Sequence, residues 1–162
     1  MCRQFFQTNV PTFCSQAGWF AEDASNLSLT PGEGYSGWML DGSNITVSGS
    51  PNSGPQNSAV LSSTNTNTAA AGWHILSNPY PSPVLTSEVT NGTGLTSVQY
   101  YEGSSGAYSG TYQPALVSGS TIPVMQGFTA LSTGTGSLAL DNPDRVASTN
   151  GFFAKSNDWF AY

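Results

Sequence analysis

Hydrophobic positions along this chain recur in steps of two, in short runs, rather than in steps of three and four. In Asn44–Ser48 (NITVS), Ile45 and Val47 fall on one side, and in Ser137–Leu140 (SLAL), Leu138 and Leu140 do. Alternation of this kind marks strands with one buried and one wet face. No longer stretch carries an apolar i, i+3, i+4, i+7 stripe free of Gly and Pro, so amphipathic helices are not expected. The pattern predicts strands at Gly34–Leu40, Asn44–Ser48, Ser58–Ser62, Trp73–Ser77, Thr96–Glu102, Ala107–Tyr112, Gln126–Leu131 and Ser137–Leu140. Between them lie polar, turn-forming joins such as SPNSGPQN, STNTNTAAAG, TNGTG, EGSSG and STGTG. Short strands separated by Gly- and Pro-rich turns read as an all-β sandwich or barrel.

Composition supports a packed interior. The chain has 162 residues, 38% of them hydrophobic, and four Trp, eight Phe and seven Tyr are spread along it. Disordered chains are poor in aromatics. The length fits one domain with a core of its own. Ser62–Ala71 is read as a long surface loop, because too little core-forming sequence precedes it to build a separate domain. Aromatics crowd both ends, with Trp19 and Phe20 near the start and Phe152, Phe153, Trp159 and Phe160 near the finish. Such ends are expected to dock on the body or on a neighbour.

Charge narrows the partners. Charged residues make up 7% of the chain, against about 25% in an ordinary soluble domain. The net charge is -6, and the only basic residues are Arg3, Arg145 and Lys155. Phosphate neutralisation needs several cations on one face, so nucleic acid is excluded as a partner, and anionic lipid is disfavoured for the same reason. No apolar run reaches the roughly 20 residues of a membrane helix. The opening MCRQFF lacks the apolar stretch of a signal peptide, so Met1 is read as a start cut into a longer precursor. Cys2 and Cys14 lie close in sequence and form the disulfide candidate; two unpaired thiols are the alternative.

Candidate chemistry is thin. His74, the one histidine, is expected on a strand, facing solvent or satisfying a hydrogen bond, with no G-x-S-x-G elbow elsewhere to make it part of a triad. Gly32–Gly37 (GEGYSG) matches the dinucleotide fingerprint literally, but a strand-like run follows where a helix is required, and a turn is the better reading. No pair among the nine carboxylates sits in a motif that marks a glycosidase. Asp141 and Asp144, in LDNPD, are a candidate oxygen-ligand pair for calcium, against the commoner reading of an Asx-type turn with Arg145 pairing locally. No catalytic residue, transition-metal ligand or cofactor site is assigned. The triplets at Asn26, Asn44 and Asn91 match N-x-S/T and are read as polar loops and strands.

One segment is more specific. GWHILSNPYPSPV, Gly72–Val84, resembles the Gly-Trp-Asn-Leu-x-Gly-Asn-Pro-Tyr-Pro-Ser signature of large secreted and cell-surface proteins of Bacteroidota, typically exported by the type IX secretion system. PGEGYSGWML (Pro31–Leu40) and ITVSGSPNSG (Ile45–Gly54) resemble blocks that precede that signature. VQYYEGSSGAYSGTY (Val98–Tyr112), IPVMQGFTA (Ile122–Ala130) and LDNPDRV (Leu140–Val146) resemble blocks that follow it. The order holds from about Pro31 to Lys155. His74 and Ser77 depart from the signature, an acidic-Trp pair after it is missing, and so is a C-terminal sorting domain. The resemblance implies an antiparallel β-sandwich, jelly-roll or Ig-like, over residues 31–155, preceded by a docked N-terminal segment 1–30 and followed by an aromatic tail 156–162.

The resemblance also implies structural roles for Trp73, Asn78, Pro79, Tyr80, Pro81, Gln126, Gly127 and Phe128. Trp73, Ile75 and Leu76 anchor a strand, Asn78–Pro81 form a rigid turn with either X-Pro bond open to cis, and Gly127 and Phe128 pack a tight strand crossing. It implies an extracellular, non-enzymatic structural or adhesive module, at the cell surface and perhaps-filament-forming in the sense of self-association or contact with neighbouring modules. The alternative is a carbohydrate-binding module in which Tyr100, Tyr108 and Tyr112 offer stacking faces to a glycan.

Overall fold

A computed structural model describes residues 2–6, 19–23, 28–38, 48–63, 71–91, 93–103, 110–114, 119–147 and 159–161. The fold is all-β. Its strands in chain order are β1 (Cys2–Phe6), β2 (Trp19–Asp23), β3 (Tyr35–Trp38), β4 (Gln56–Asn57), β5 (Leu61–Ser62), β6 (Trp73–Ser77) and β7 (Val84–Leu85). A five-residue helix α1 (Thr86–Thr90) separates these from β8 (Leu95–Gly103), β9 (Gly110–Pro114), β10 (Thr121–Ile122), β11 (Gly127–Ser132), β12 (Thr135–Gly136), β13 (Ala139–Leu140) and β14 (Trp159–Ala161). A single 3-10 turn occupies Asn142–Asp144.

The central sheet has the order β6-β11-β8-β9 and is antiparallel throughout. Three two-stranded antiparallel ladders, β10-β7, β12-β5 and β13-β4, surround it. The remaining sheet, β14-β3-β1-β2, is mixed: β1 runs parallel to both β2 and β3. That departs from the uniformly antiparallel arrangement expected from the sequence.

The expected strand at Trp73–Ser77 is β6, and the one at Gln126–Leu131 is β11 shifted by one residue. The expected Ser58–Ser62 strand shrinks to β5, because Ser58 turns away: its N–H donates to the Leu138 carbonyl at 2.9 Å and its hydroxyl accepts from the Leu138 N–H at 3.0 Å. Asn44–Val47 lie outside the described residues. Helix α1 was not foreseen. It is shorter than any periodic window can detect, has two threonines and a valine among its five residues, and lacks a side-chain N-cap.

One face of the central sheet builds the core. Leu76, Phe128, Ala130 and Val98 are buried there, with Tyr100 packed against them, and Val89 of α1, Val84, Leu95, Ile122, Leu138 and Leu140 complete the cluster. A β-bulge makes this possible. Between the pairs Gln99–Thr129 and Thr96–Leu131, β8 advances three residues while β11 advances two. Ser97 takes up the extra residue with φ +49°. In a regular strand Leu95 and Val98 would face opposite ways; the bulge re-aims them, and both are buried.

Gly72 enters β6 at φ +78°, and a Cβ there would lie 2.7 Å from the Ser132 carbonyl oxygen. That carbonyl and β6 can approach only over a glycine.

Candidate functional site

The signature segment forms a buried polar latch at the end of β6. Asn78 is 1% exposed. Its backbone N–H donates to the Gln126 carbonyl at 3.1 Å, joining it to the turn that leads into β11. Its side-chain amide nitrogen faces three carbonyls, Ser82 at 2.9 Å, Pro123 at 2.9 Å and Ile122 at 3.2 Å, among which two protons are shared. Its side-chain oxygen accepts the Tyr80 N–H at 2.9 Å. Every polar atom of this amide is therefore satisfied by backbone, as a buried amide requires. Prolines at 79, 81 and 83 hold the segment extended without N–H groups that would need partners of their own.

Tyr80 has no exposed surface. Its hydroxyl lies 2.7 Å from the Gly54 carbonyl and 2.8 Å from the Leu140 carbonyl, and its one proton is shared between them. The Arg145 guanidinium stands over the ring, 5.4 Å from its centroid, and its Nε donates to the Ser82 hydroxyl at 2.6 Å. Burial pushes the Tyr80 hydroxyl pKa above its usual value; the Asp141 and Asp144 carboxylates push the same way, and Arg145 opposes them. Asn52 closes the latch by donating to the Pro79 carbonyl at 2.8 Å.

Asp141 and Asp144 cap the 3-10 turn reciprocally. The Asp141 carboxylate accepts the Asn142 N–H at 2.6 Å, and the Asp144 carboxylate accepts the Asp141 N–H at 2.7 Å. The Asn142 side-chain oxygen accepts from the Gly54 N–H at 3.0 Å and from Arg145 at 3.2 Å. This is the Asx-type turn with a local arginine. Among the described residues no group of three metal-ligating side chains comes together.

Beside the latch opens a shallow cleft of about 370 Å3, walled by Leu29, Pro31, Pro51, Pro79, Val124 and Met125. Its described lining holds one carboxylate, Glu33, which accepts the Tyr35 hydroxyl at 3.3 Å; that hydroxyl in turn accepts the Thr30 N–H at 2.9 Å. Met125 adopts φ +53° at the cleft wall. The literal dinucleotide fingerprint runs past this cleft as a turn, with the Glu33 N–H donating to the Thr30 carbonyl, and continues into β3 rather than into a helix.

The other expected residues fall in several places. Trp73 is half-buried on β6, on the face opposite Leu76. Gln126 is buried at the turn into β11 with its amide donating to the Gly127 carbonyl at 2.9 Å, and Gly127 and Phe128 are buried in β11 itself. All peptide bonds of the described residues are trans, so neither X-Pro bond of the signature is cis. His74 lies on β6 with Nε2 2.9 Å from the Ser62 carbonyl, tying β6 to β5. Burial holds its pKa below the usual 6.5, partly opposed by that carbonyl. The pairing of Cys2 with Cys14 lies outside the described residues.

The expected stacking set does not share one face. In the β8–β9 ladder Tyr100 stands opposite Gln113 and packs on the core, whereas Tyr112 stands opposite Tyr101 and is 48% exposed. Directly paired residues share a face and neighbours along a strand alternate. Tyr100 and Tyr112 are thus on opposite sides. Tyr108 lies outside the described residues. The ring that does join Tyr112 is Tyr101, edge-on with centroids 5.2 Å apart. The bulge at Ser97 makes strand parity hard to count from the sequence, although the tandem Tyr100–Tyr101 already signals one tyrosine on each face.

No helix among the described residues is long and apolar enough to cross a membrane. No protein-family model, curated protein or solved structure matches this chain.

Proposed function

We propose that this chain is a non-enzymatic, extracellular structural or adhesive module that works by associating with copies of itself or with neighbouring modules. The observation that carries the reading is the latch. The polar groups of Asn78 and Tyr80 turn inward and bind backbone carbonyls of Gly54, Ser82, Ile122, Pro123 and Leu140, so the most distinctive segment of the chain serves its own architecture. The resemblance of Gly72–Val84 to a signature of secreted Bacteroidota surface proteins agrees with that use and supports an extracellular setting. Low charge supports association, since few carboxylates and almost no lysines guard the surface against a second copy.

Light scattering on the purified chain, with negative-stain imaging of the same samples, tests this. Concentration-dependent oligomers or fibres are the expected result. A monomer at every concentration would overturn the self-association, and turnover of any substrate would overturn the non-enzymatic reading.

A second reading rests on Tyr112. An exposed ring braced by Tyr101 is a stacking platform of the kind that binds a sugar face. If the chain binds glycan there, Tyr112→Ala abolishes binding on a glycan array and leaves the circular dichroism spectrum intact; unchanged binding removes the site.

A further inference from the structure

Sheet edges present unpaired N–H and C=O groups, and proteins cover, bend or charge them. The β6 edge of the central sheet is covered from within the chain. Gly34 donates to the Ile75 carbonyl and Ser77 donates to the Gly32 carbonyl, each at 3.1 Å, while Glu33 bridges to Leu76. The opposite edge is β9, and among the described residues no strand pairs with its outer side. The other five-residue edge strand, β2, carries Glu22 and Asp23 in its sequence WFAED. The sequence of β9 is GTYQP, without a charge, in a chain of net charge -6. Two copies meeting along β2 would oppose carboxylates; two copies meeting along β9 would not.

We infer that β9 is the surface on which a second copy of this chain docks, strand to strand and antiparallel, about a two-fold axis at Tyr112. This deepens the proposed self-association and rests on it. A two-fold contact uses the same patch on both partners. Centred on Tyr112, it sets Gly110 against the partner's Pro114 and Thr111 against the partner's Gln113. Pro114, which has no N–H to offer, then falls at the end of the ladder, where strands tolerate proline. The two Tyr112 rings meet at the axis and continue the Tyr101–Tyr112 pair into a row of four. On the other face, the Gln113 amide already donates to the Thr111 hydroxyl at 3.0 Å within one chain, and the same two side chains form the cross-strand pair between copies. A patch of five residues a side is far below the roughly 800 Å2 per partner of a stable interface, so the pairing is weak and concentration-dependent. Because a two-fold contact closes on itself, it yields dimers; fibres need a second contact.

Sedimentation velocity and oxidative cross-linking test the assignment. The double variant Thr111→Lys with Gln113→Lys opposes like charges across the axis; its self-association is expected to weaken at least tenfold while its circular dichroism spectrum stays unchanged. Independently, Tyr112→Cys in a background of Cys2→Ser and Cys14→Ser is expected to give a covalent dimer. Directly opposed Cα atoms lie about 4.5–5.5 Å apart, within disulfide reach. Thr96→Cys, exposed on β8 away from this edge, is expected to give none. If the wild-type chain associates, but the double variant associates equally well and Tyr112→Cys does not cross-link, the edge assignment is wrong while self-association stands. A wild-type monomer at every concentration overturns both.

Discussion

The Tyr80 hydroxyl lies 2.8 Å from the carbonyl of Leu140, sixty positions further along the chain, and the same hydroxyl reaches the Gly54 carbonyl at 2.7 Å. One phenol thus joins the loop before β4, the turn after β6 and the end of β13. The ring supplies burial and the hydroxyl supplies address. That division of labour can be separated experimentally.

Tyr80→Phe keeps the ring and removes the donor from two carbonyls. The expected loss is about 1–3 kcal/mol. Asn78→Asp removes the donors facing three carbonyls and places a carboxylate among them, and it is expected to cost more, about 3 kcal/mol or above. Urea denaturation reads both as a lower midpoint at an unchanged slope. A Tyr80→Phe chain as stable as the parent would show that the hydroxyl does not hold the loops.

Gly72 and Gly54 both have positive φ, +78° and +71°, but their surroundings differ. A Cβ on Gly54 meets nothing within 4 Å, whereas one on Gly72 lies 2.7 Å from the Ser132 carbonyl oxygen. Gly54→Ala is expected to cost only the left-handed conformation, about 1–2 kcal/mol. Gly72→Ala adds overpacking against backbone, for about 2–5 kcal/mol in all. Equal losses in thermal denaturation would contradict the close approach of β6 and Ser132.

His74 should make the fold acid-sensitive. Its folded pKa is held below the usual 6.5, chiefly by burial. As pH falls past 6.5 the unfolded chain takes up this proton and the folded chain does not, so unfolding is favoured. The stability linked to His74 is fully present above 6.5 and is lost as pH falls through the folded value. His74→Gln keeps an amide N–H for the Ser62 carbonyl and has nothing to titrate. Its melting temperature is expected to fall less than the parent's between about pH 7.5 and about pH 5; parallel curves would refute the linkage.

Tyr80 works at the other end of the scale. Its folded pKa is raised, by burial first and by Asp141 and Asp144 next. The linked stability is fully present below the usual value of 10 and is lost as pH rises through the folded value. Arg145→Met removes the one group that favours the phenolate, together with the bond to Ser82. An ultraviolet titration of that variant is expected to show one tyrosine ionising later than in the parent, or only on unfolding; an unchanged curve would remove Arg145 from the latch.

The sequence by itself determined the class of fold and the best of its strands. Steps of two, the lack of any helical stripe and the Gly- and Pro-rich joins are local properties, and they predicted an all-β chain with a strand at Trp73–Ser77. They also marked Asn78–Pro81 as a rigid turn, because proline restricts its own residue and the one before it whatever surrounds them. Tertiary structure alone decided what that turn is for. The partners of Asn78 and Tyr80 lie up to sixty residues away, and no local pattern encodes which distant carbonyl a side chain will meet. It also decided which tyrosines share a face and which edge stays open. The Ser97 bulge shifts strand parity, and the covering of β6 by Gly32–Gly34 depends on a contact between segments some forty residues apart, which exists only once the chain has closed on itself.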